Sequence, residues 1–183
     1  MISYEELYEI VKNKLSSKRF NHCLRVVERA VEYAKVYDVD LNKVKLTALA
    51  HDIAKDLSDS NIDKYTYLLD DVELVNRSLC HAKIGAIICR EYGFDEDMLN
   101  SIKYHTTGRE NMSILEKIIY LADATESERE IGSRNYVELV KTNIDEAMLK
   151  ICSLTLIRLL NNSKVIHIDS IKCYNYYNIK LFS

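Results

Sequence analysis

Proline is absent from all 183 residues of the chain, and glycine occurs only at Gly85, Gly93, Gly108 and Gly132. These two residue types break helices and form tight strand turns, so a sequence this poor in both is confined to helices joined by short polar turns. The expected fold is therefore all-α, a helical bundle. At 183 residues the length fits one domain, expected to span 1–183, able to bury about 70% of the surface its unfolded form exposes. No linker, repeat or low-complexity stretch divides it.

Hydrophobic periodicity places the helices. Ser3 and Glu6 have capping-box spacing ahead of Leu7, Ile10, Val11 and Leu15. From about Lys18 to Tyr37, Phe20, Leu24, Val27, Val31 and Ala34 make one apolar stripe, with His22 beside it. Over Asp40 to Leu57, projection at about 100° per residue gathers Leu46, Leu49, Ala50, Ile53, Ala54 and Leu57 on a core face. It leaves His51, Asp52, Lys55 and Asp56 together on the front. One or two short helices are expected over Asp59 to Leu79, with a turn at Asp70-Asp71. A helix from His81 to Tyr92 ends at Gly93, Asp95 caps the next, and a further helix covers Ser113 to Arg129. Asn143 and Glu146 open a long helix reaching Asn161. The tail, Lys164 to Ser183, has no clear helical period and is expected to be irregular, an ordered coil or short strand.

Composition narrows the function. Five cysteines (Cys23, Cys80, Cys89, Cys152, Cys173) are an odd number with no C-x-x-C pair, the pattern of free thiols in a reducing compartment. The N-terminus shows no signal peptide and no stretch approaches the ~20 apolar residues of a membrane span, so a cytoplasmic location is expected. A formal charge of −3 with scattered lysines and arginines argues against a nucleic-acid polymer or a membrane as partner. It allows a local basic pocket for a small phosphorylated molecule.

His22, His51-Asp52, His81, His105 and Asp123 use four of the five histidines. Imidazole and carboxylate donors without thiolate suit Fe, Mn, Mg or Zn in a reactive site rather than a structural zinc knot. One histidine beside an apolar stripe is ordinarily a core residue; the ordered set along successive helices is what points to a metalloenzyme.

Lys18-Arg19-Phe20-Asn21-His22, Ala48-Leu49-Ala50-His51-Asp52-Ile53-Ala54-Lys55-Asp56, His105-Thr106-Thr107-Gly108 and Tyr120-Leu121-Ala122-Asp123 resemble the YqeK-type proteins of the HD-domain superfamily. The resemblance spans about residues 18 to 130, with a C-terminal helix and tail over 143–183. It implies an HD bundle that cleaves diadenosine tetraphosphate symmetrically to two ADP by metal-activated water attack. His22, His51, Asp52 and Asp123 would hold a divalent metal, iron first and Mn, Mg or Zn as alternatives. His81 and His105 would either ligate a second metal bridged through Asp52 or donate to substrate phosphates. Asp52, Lys55, His81 and His105 are the expected catalytic residues, with Asp52 placed to take the proton of the attacking water.

Lys55, Arg19 and Arg129 are the candidate phosphate clamp, because guanidinium pairs with phosphate bidentately and ammonium supplies a point charge. Thr106, Thr107 and Gly108 can add donors. The implied nucleoside site covers His167 to Asn175, with Ser170 and Tyr174 as contacts, against the alternative that these tyrosines only pack the tail. Asp56 and Glu126 are candidate partners that orient a histidine or lysine. Thr125 and Ser127 depart from the family pattern, where a larger residue and a proline are expected. A small nucleotide is the expected partner, and a homodimer is compatible with the sequence. Other readings are a different HD phosphohydrolase (a nucleotidase, or a guanosine alarmone or cyclic dinucleotide hydrolase), a di-iron HD oxygenase, and a non-catalytic metal or nucleotide sensor.

Overall fold

The computed structural model describes residues 1–129 and 135–182; Ser183, the end of the expected tail, lies outside them. Among the described residues the regular structure is helical, without strands. Helix α1 (Tyr4–Lys14) starts at the Ser3–Glu6 capping box and buries Leu7 and Val11. Helix α2 (Ser17–Tyr37) carries Phe20, Cys23, Val26, Val27, Ala30, Tyr33 and Ala34 into the core and ends with Asp38 in the left-handed region at φ 52°.

Asp40 caps helix α3 (Leu41–Ala50) by accepting from the Asn42 and Lys43 amides. The helix stops at Ala50, seven residues short of the Leu57 limit expected from periodicity. Beyond it the backbone bonds shorten to the third residue back, with Ile53 N–H donating to Ala50 O at 2.9 Å and Lys55 N–H to Asp52 O at 2.8 Å. Such tighter winding turns each residue by about 120° rather than 100°, so the projected front face breaks up. Lys55 stays with His51 and Asp52, whereas Asp56 points away and accepts from the Ser16 amide at 2.7 Å.

A strap of short elements follows, with α4 (Asp59–Ile62) and α5 (Asp71–Val75) separated by one 3-10 helix (Asp63–Leu68), a second (Arg77–Leu79) after α5, and Asp70 capping α5. Helices α6 (Cys80–Glu91) and α7 (Glu96–Lys103) form the next layer, with Gly93 at φ 79° between them. Helix α8 (Ile114–Thr125) is the centre of the bundle, packed on α2, α3 and α7. Its Ile118, Ile119 and Leu121 are fully buried, each worth about 1.5–3 kcal/mol relative to exposure. It ends before Arg129, the expected limit. Helices α9 (Val137–Thr142) and α10 (Ile144–Asn161) complete the body, and α10 also touches α8.

The irregular tail expected from the sequence is instead a helix, α11 (Ile168–Phe182). Its buried positions are Ser170, Cys173 and Tyr177, a helical spacing written in small and aromatic residues. Its branched aliphatics, Ile168, Ile171 and Ile179, face outward, so an aliphatic period is missing from the sequence. Asp145 anchors the helix by accepting from Lys117 and Lys180, each at 2.6 Å. All five cysteines are free and buried. Among the described residues no helix is long and apolar enough to cross a membrane.

Candidate metal centre and substrate cleft

Four buried histidines converge at the base of one cleft. His22 comes from α2, His51 from the turn after α3, His81 from the first turn of α6 and His105 from just beyond α7. In His51, His81 and His105, Nδ1 lies 2.7 Å from the carbonyl oxygen three residues earlier, on Ala48, Ser78 and Ile102. This repeated latch makes Nδ1 the protonated donor and leaves the Nε2 lone pair free. His22 reaches the same state differently, with Nδ1 3.3 Å from Glu126 Oε1.

Asp52 divides its carboxylate between two pairs of these nitrogens. Oδ2 lies 3.6 Å from His51 Nε2 and 3.9 Å from His22 Nε2. Oδ1 lies 3.0 Å from His81 Nε2 and 3.5 Å from His105 Nε2. Asp123 Oδ1 sits 3.0 Å from His22 Nε2 and 4.0 Å from His51 Nε2. The Nε2 atoms of His22 and His51 are nonetheless buried without a hydrogen-bond partner: His51 Nε2 stands 3.6 Å or more from either carboxylate, and His22 Nε2, although 3.0 Å from Asp123 Oδ1, does not make a hydrogen bond with it. Two orphaned nitrogen lone pairs aimed at carboxylates are the arrangement a divalent cation satisfies. His22, His51 and Asp123 form one group able to hold an ion, and His51, Asp52 and His105 an overlapping one.

Electrostatics favour ligand forms. Burial pulls the His51 imidazole down to about 4 and that of His81 down to about 4, so both are neutral at pH 7. Ligation requires the neutral form, whereas the alternative of cationic phosphate donors requires protonation. Burial opposes ionisation of Asp52, but the facing imidazoles of His51, His105 and His81 outweigh it and hold the carboxyl well below its usual range. Asp123 is held low in the same way, by His22 and Arg129 against burial.

Above the cluster opens a cleft of about 740 Å³, in the upper part of the range for ligand sites. Arg19, Asp52, Lys55, His81, His105, Thr106, Thr107, Asp123, Arg129, His167 and Ser170 line it. Arg19 Nη1 lies 2.9 Å from Asp52 Oδ2, and Arg129 pairs with Asp123 through both its carboxylate and its backbone carbonyl. Lys55 donates to Ser78 O at 3.3 Å. Burial lowers its pKa, which neighbouring Asp52 counteracts. Tyr174, expected at the nucleoside, packs against the core and is not among the lining residues. His167 Nε2 lies 2.8 Å from Asp70 Oδ2, joining the rim at α11 to the strap. Glu126 sits behind His22 and accepts from Arg25 Nε at 2.7 Å. Thr125, one of the two departures, is fully buried and shares a 2.6 Å hydrogen bond with the Tyr33 hydroxyl.

Sequence reasoning missed the far wall, formed by Ile151, Leu154, Thr155, Arg158, Asn161 and Asn162 of α10 and its C-terminal turn. These positions read as an ordinary amphipathic helix, and only their place in the fold distinguishes them. A second hollow of about 760 Å³ lies between the N-terminus and α3, lined by Met1 to Glu6, Val27, Asn42 and Lys45. It gathers no histidine or aspartate and so lacks the donor set of the cleft.

The HD domain model matches residues 19–128, more than half of the chain and the whole stretch holding the cluster. The chain belongs to the HD domain family. This HD protein is 35% identical to a symmetrical bis(5′-nucleosyl)-tetraphosphatase of Staphylococcus aureus, over 97% of the chain and 95% of the relative. It is 37% identical to the protein of that name from Halalkalibacterium halodurans, over 91% of the chain and 92% of the relative. A crystal structure from Clostridium acetobutylicum, described as an HD superfamily hydrolase involved in NAD metabolism, superposes with a TM-score of 0.91 at 34% identity. It covers 98% of this chain and 99% of the other.

Proposed function

We propose that this chain is a metal-dependent hydrolase that cleaves diadenosine tetraphosphate at its central phosphoanhydride, giving two ADP. The observation that carries the reading is its match, along nearly the full length of both partners, to symmetrical bis(5′-nucleosyl)-tetraphosphatases at 35% and 37% identity. The histidine–aspartate cluster under a large cleft supplies the chemistry such a reaction needs.

His22, His51, Asp52 and Asp123 would hold a divalent ion, iron by preference, and His81 and His105, with Asp52, would hold a second. Bound there, a divalent ion supplies Lewis acidity toward a phosphoryl oxygen and lowers the pKa of water toward neutrality. Asp52, ionised at neutral pH, accepts the proton of the attacking water. Lys55, Arg19 and Arg129 draw the polyphosphate into register and offset its charge, and Thr106 donates to a phosphate oxygen. Ser170 is the candidate nucleoside contact on the near wall.

The test is product analysis with diadenosine tetraphosphate and purified metal-loaded protein. ADP as the dominant product, lost in His51→Ala and Asp52→Ala together with bound metal, is the expected outcome. ATP plus AMP in equal amounts, or turnover retained by metal-free variants, would overturn the proposal. Turnover unchanged under anaerobic conditions would separate it from an oxygenase.

A further inference from the structure

A symmetrical cut in a dinucleoside tetraphosphate puts the breaking bond at the middle of the molecule, so two nucleoside halves must leave the metal cluster in different directions. Ser170 and His167, in the segment expected to meet one of them, line the cleft. The far wall has a composition that the phosphate chemistry leaves unused.

Tyr120 and Cys152, 3.6 Å apart, fix the middle of α10 against α8. From Cys152 the helix runs outward along the cleft, so Arg158 lies about 9 Å further along its axis. Ile151, Leu154, Arg158 and Asn161 are spaced to share one helix face, and all four line the cleft, as does Val165 in the turn that follows. Arg19 and Arg129, the other lining arginines, are each paired with a carboxylate. Arg158, unlike these two, makes no ion pair among the described residues. Next to it, Val165 and Ile157 are left 45% and 54% exposed.

An aliphatic platform, an unpaired planar guanidinium and a side-chain amide are the groups that receive a nucleobase. Guanidinium planes stack on bases, and the amide of asparagine matches the donor and acceptor edge of adenine. Asn162 is less available, since its amide nitrogen donates to Arg158 O at 2.7 Å.

We propose that Arg158 and Asn161, on the platform of Leu154 and Val165, hold the second nucleoside of the substrate and so select a dinucleoside polyphosphate over a mononucleotide. The assignment rests on the hydrolase reading above.

The experiment compares diadenosine tetraphosphate with adenosine 5′-tetraphosphate, which keeps every phosphate and lacks one nucleoside. R158A and N161A should each raise KM for the dinucleotide, R158A by about tenfold, as when a base loses its stacking partner, with kcat nearly unchanged. The Ki of adenosine 5′-tetraphosphate as a competitive inhibitor should stay at the wild-type value. R158K should recover little, because ammonium lacks the planar face. Thermal melting identical to wild type confirms that the variants fold. A parallel loss for both compounds would make Arg158 a phosphate ligand and overturn the assignment, as would no change in either. Failure of the wild type to release ADP would instead defeat the hydrolase reading, so the two failures are distinguishable.

Discussion

His81 and His105 face each other Nε2 to Nε2 at 3.1 Å, while the Nδ1 of each is committed to a backbone carbonyl at 2.7 Å. Two lone pairs at that separation repel unless a cation or a shared proton lies between them. In the proposed reading this pair, with Asp52, would hold the second ion. Elemental analysis of purified protein should find two divalent ions per chain, and about one in the H81A/H105A double variant. A wild-type value of one, unchanged in the double variant, would remove the second ion.

Glu126 tests the support behind the first site. Its Oε1 holds His22 Nδ1 and its Oε2 accepts from Arg25, so E126Q loosens the orientation of His22 without touching a ligand. A loss of about 10–100-fold in metal affinity or turnover is expected, measured by competition with a chelator and by ADP release. Wild-type affinity in E126Q would show that His22 is oriented by packing alone.

The metal-free protein should lose stability on mild acidification. His51 and His81 titrate near 6.5 when unfolded, and burial lowers each to about 4 in the fold. Above pH 6.5 neither state takes up these protons, so their contribution is complete. Between about 6.5 and 4 the unfolded chain binds protons that the folded one refuses, and stability falls by about 1.4 kcal/mol per pH unit for each histidine. Thermal melts of chelator-treated protein should drop by several degrees between pH 6.5 and 5.5, more than those of an H51Q/H81Q variant. Equal slopes would contradict the burial argument.

Gly108 couples the Thr106-Thr107-Gly108 loop to α11. Its φ is 67°, and a Cβ there would lie 2.5 Å from Cys173 Sγ. G108A should destabilise by about 1–3 kcal/mol from backbone strain and overpacking and weaken substrate binding. Adding C173A relieves the contact but not the strain, so denaturant titration of the double variant should show partial recovery. Strict additivity of the two single effects would mean that the loop and the helix do not press on each other.

The all-α architecture was legible because the sequence lacks chain breakers and carries its caps openly, at Ser3, Asp95 and Asn143. The histidine–aspartate cluster was legible because histidines are few and ordered. Three features were hidden for physical reasons. The winding change after Ala50 tightens the backbone bonds to the third residue back, which a uniform helical projection cannot register. Helix α11 buries Ser170, Cys173 and Tyr177 while exposing its isoleucines, so its inner face is polar and aromatic where an aliphatic stripe is the usual sign. The far wall of the cleft depends on which side of α10 is left uncovered, and that is decided by neighbours distant in sequence.

The contact between His167 and Asp70 joins positions 97 residues apart across the cleft rim. Asp70 also caps α5 and accepts from Lys83, so losing His167 removes only one of its partners, whereas losing Asp70 leaves a buried imidazole with no acceptor at Nε2 and only Asp169, 3.6 Å from Nδ1, as an acidic neighbour. Relatives should therefore tolerate change at 167 before change at 70. Where both differ, the strap and the terminal helix should have diverged together, which makes this pair a marker of co-inheritance for two segments that no linear motif connects.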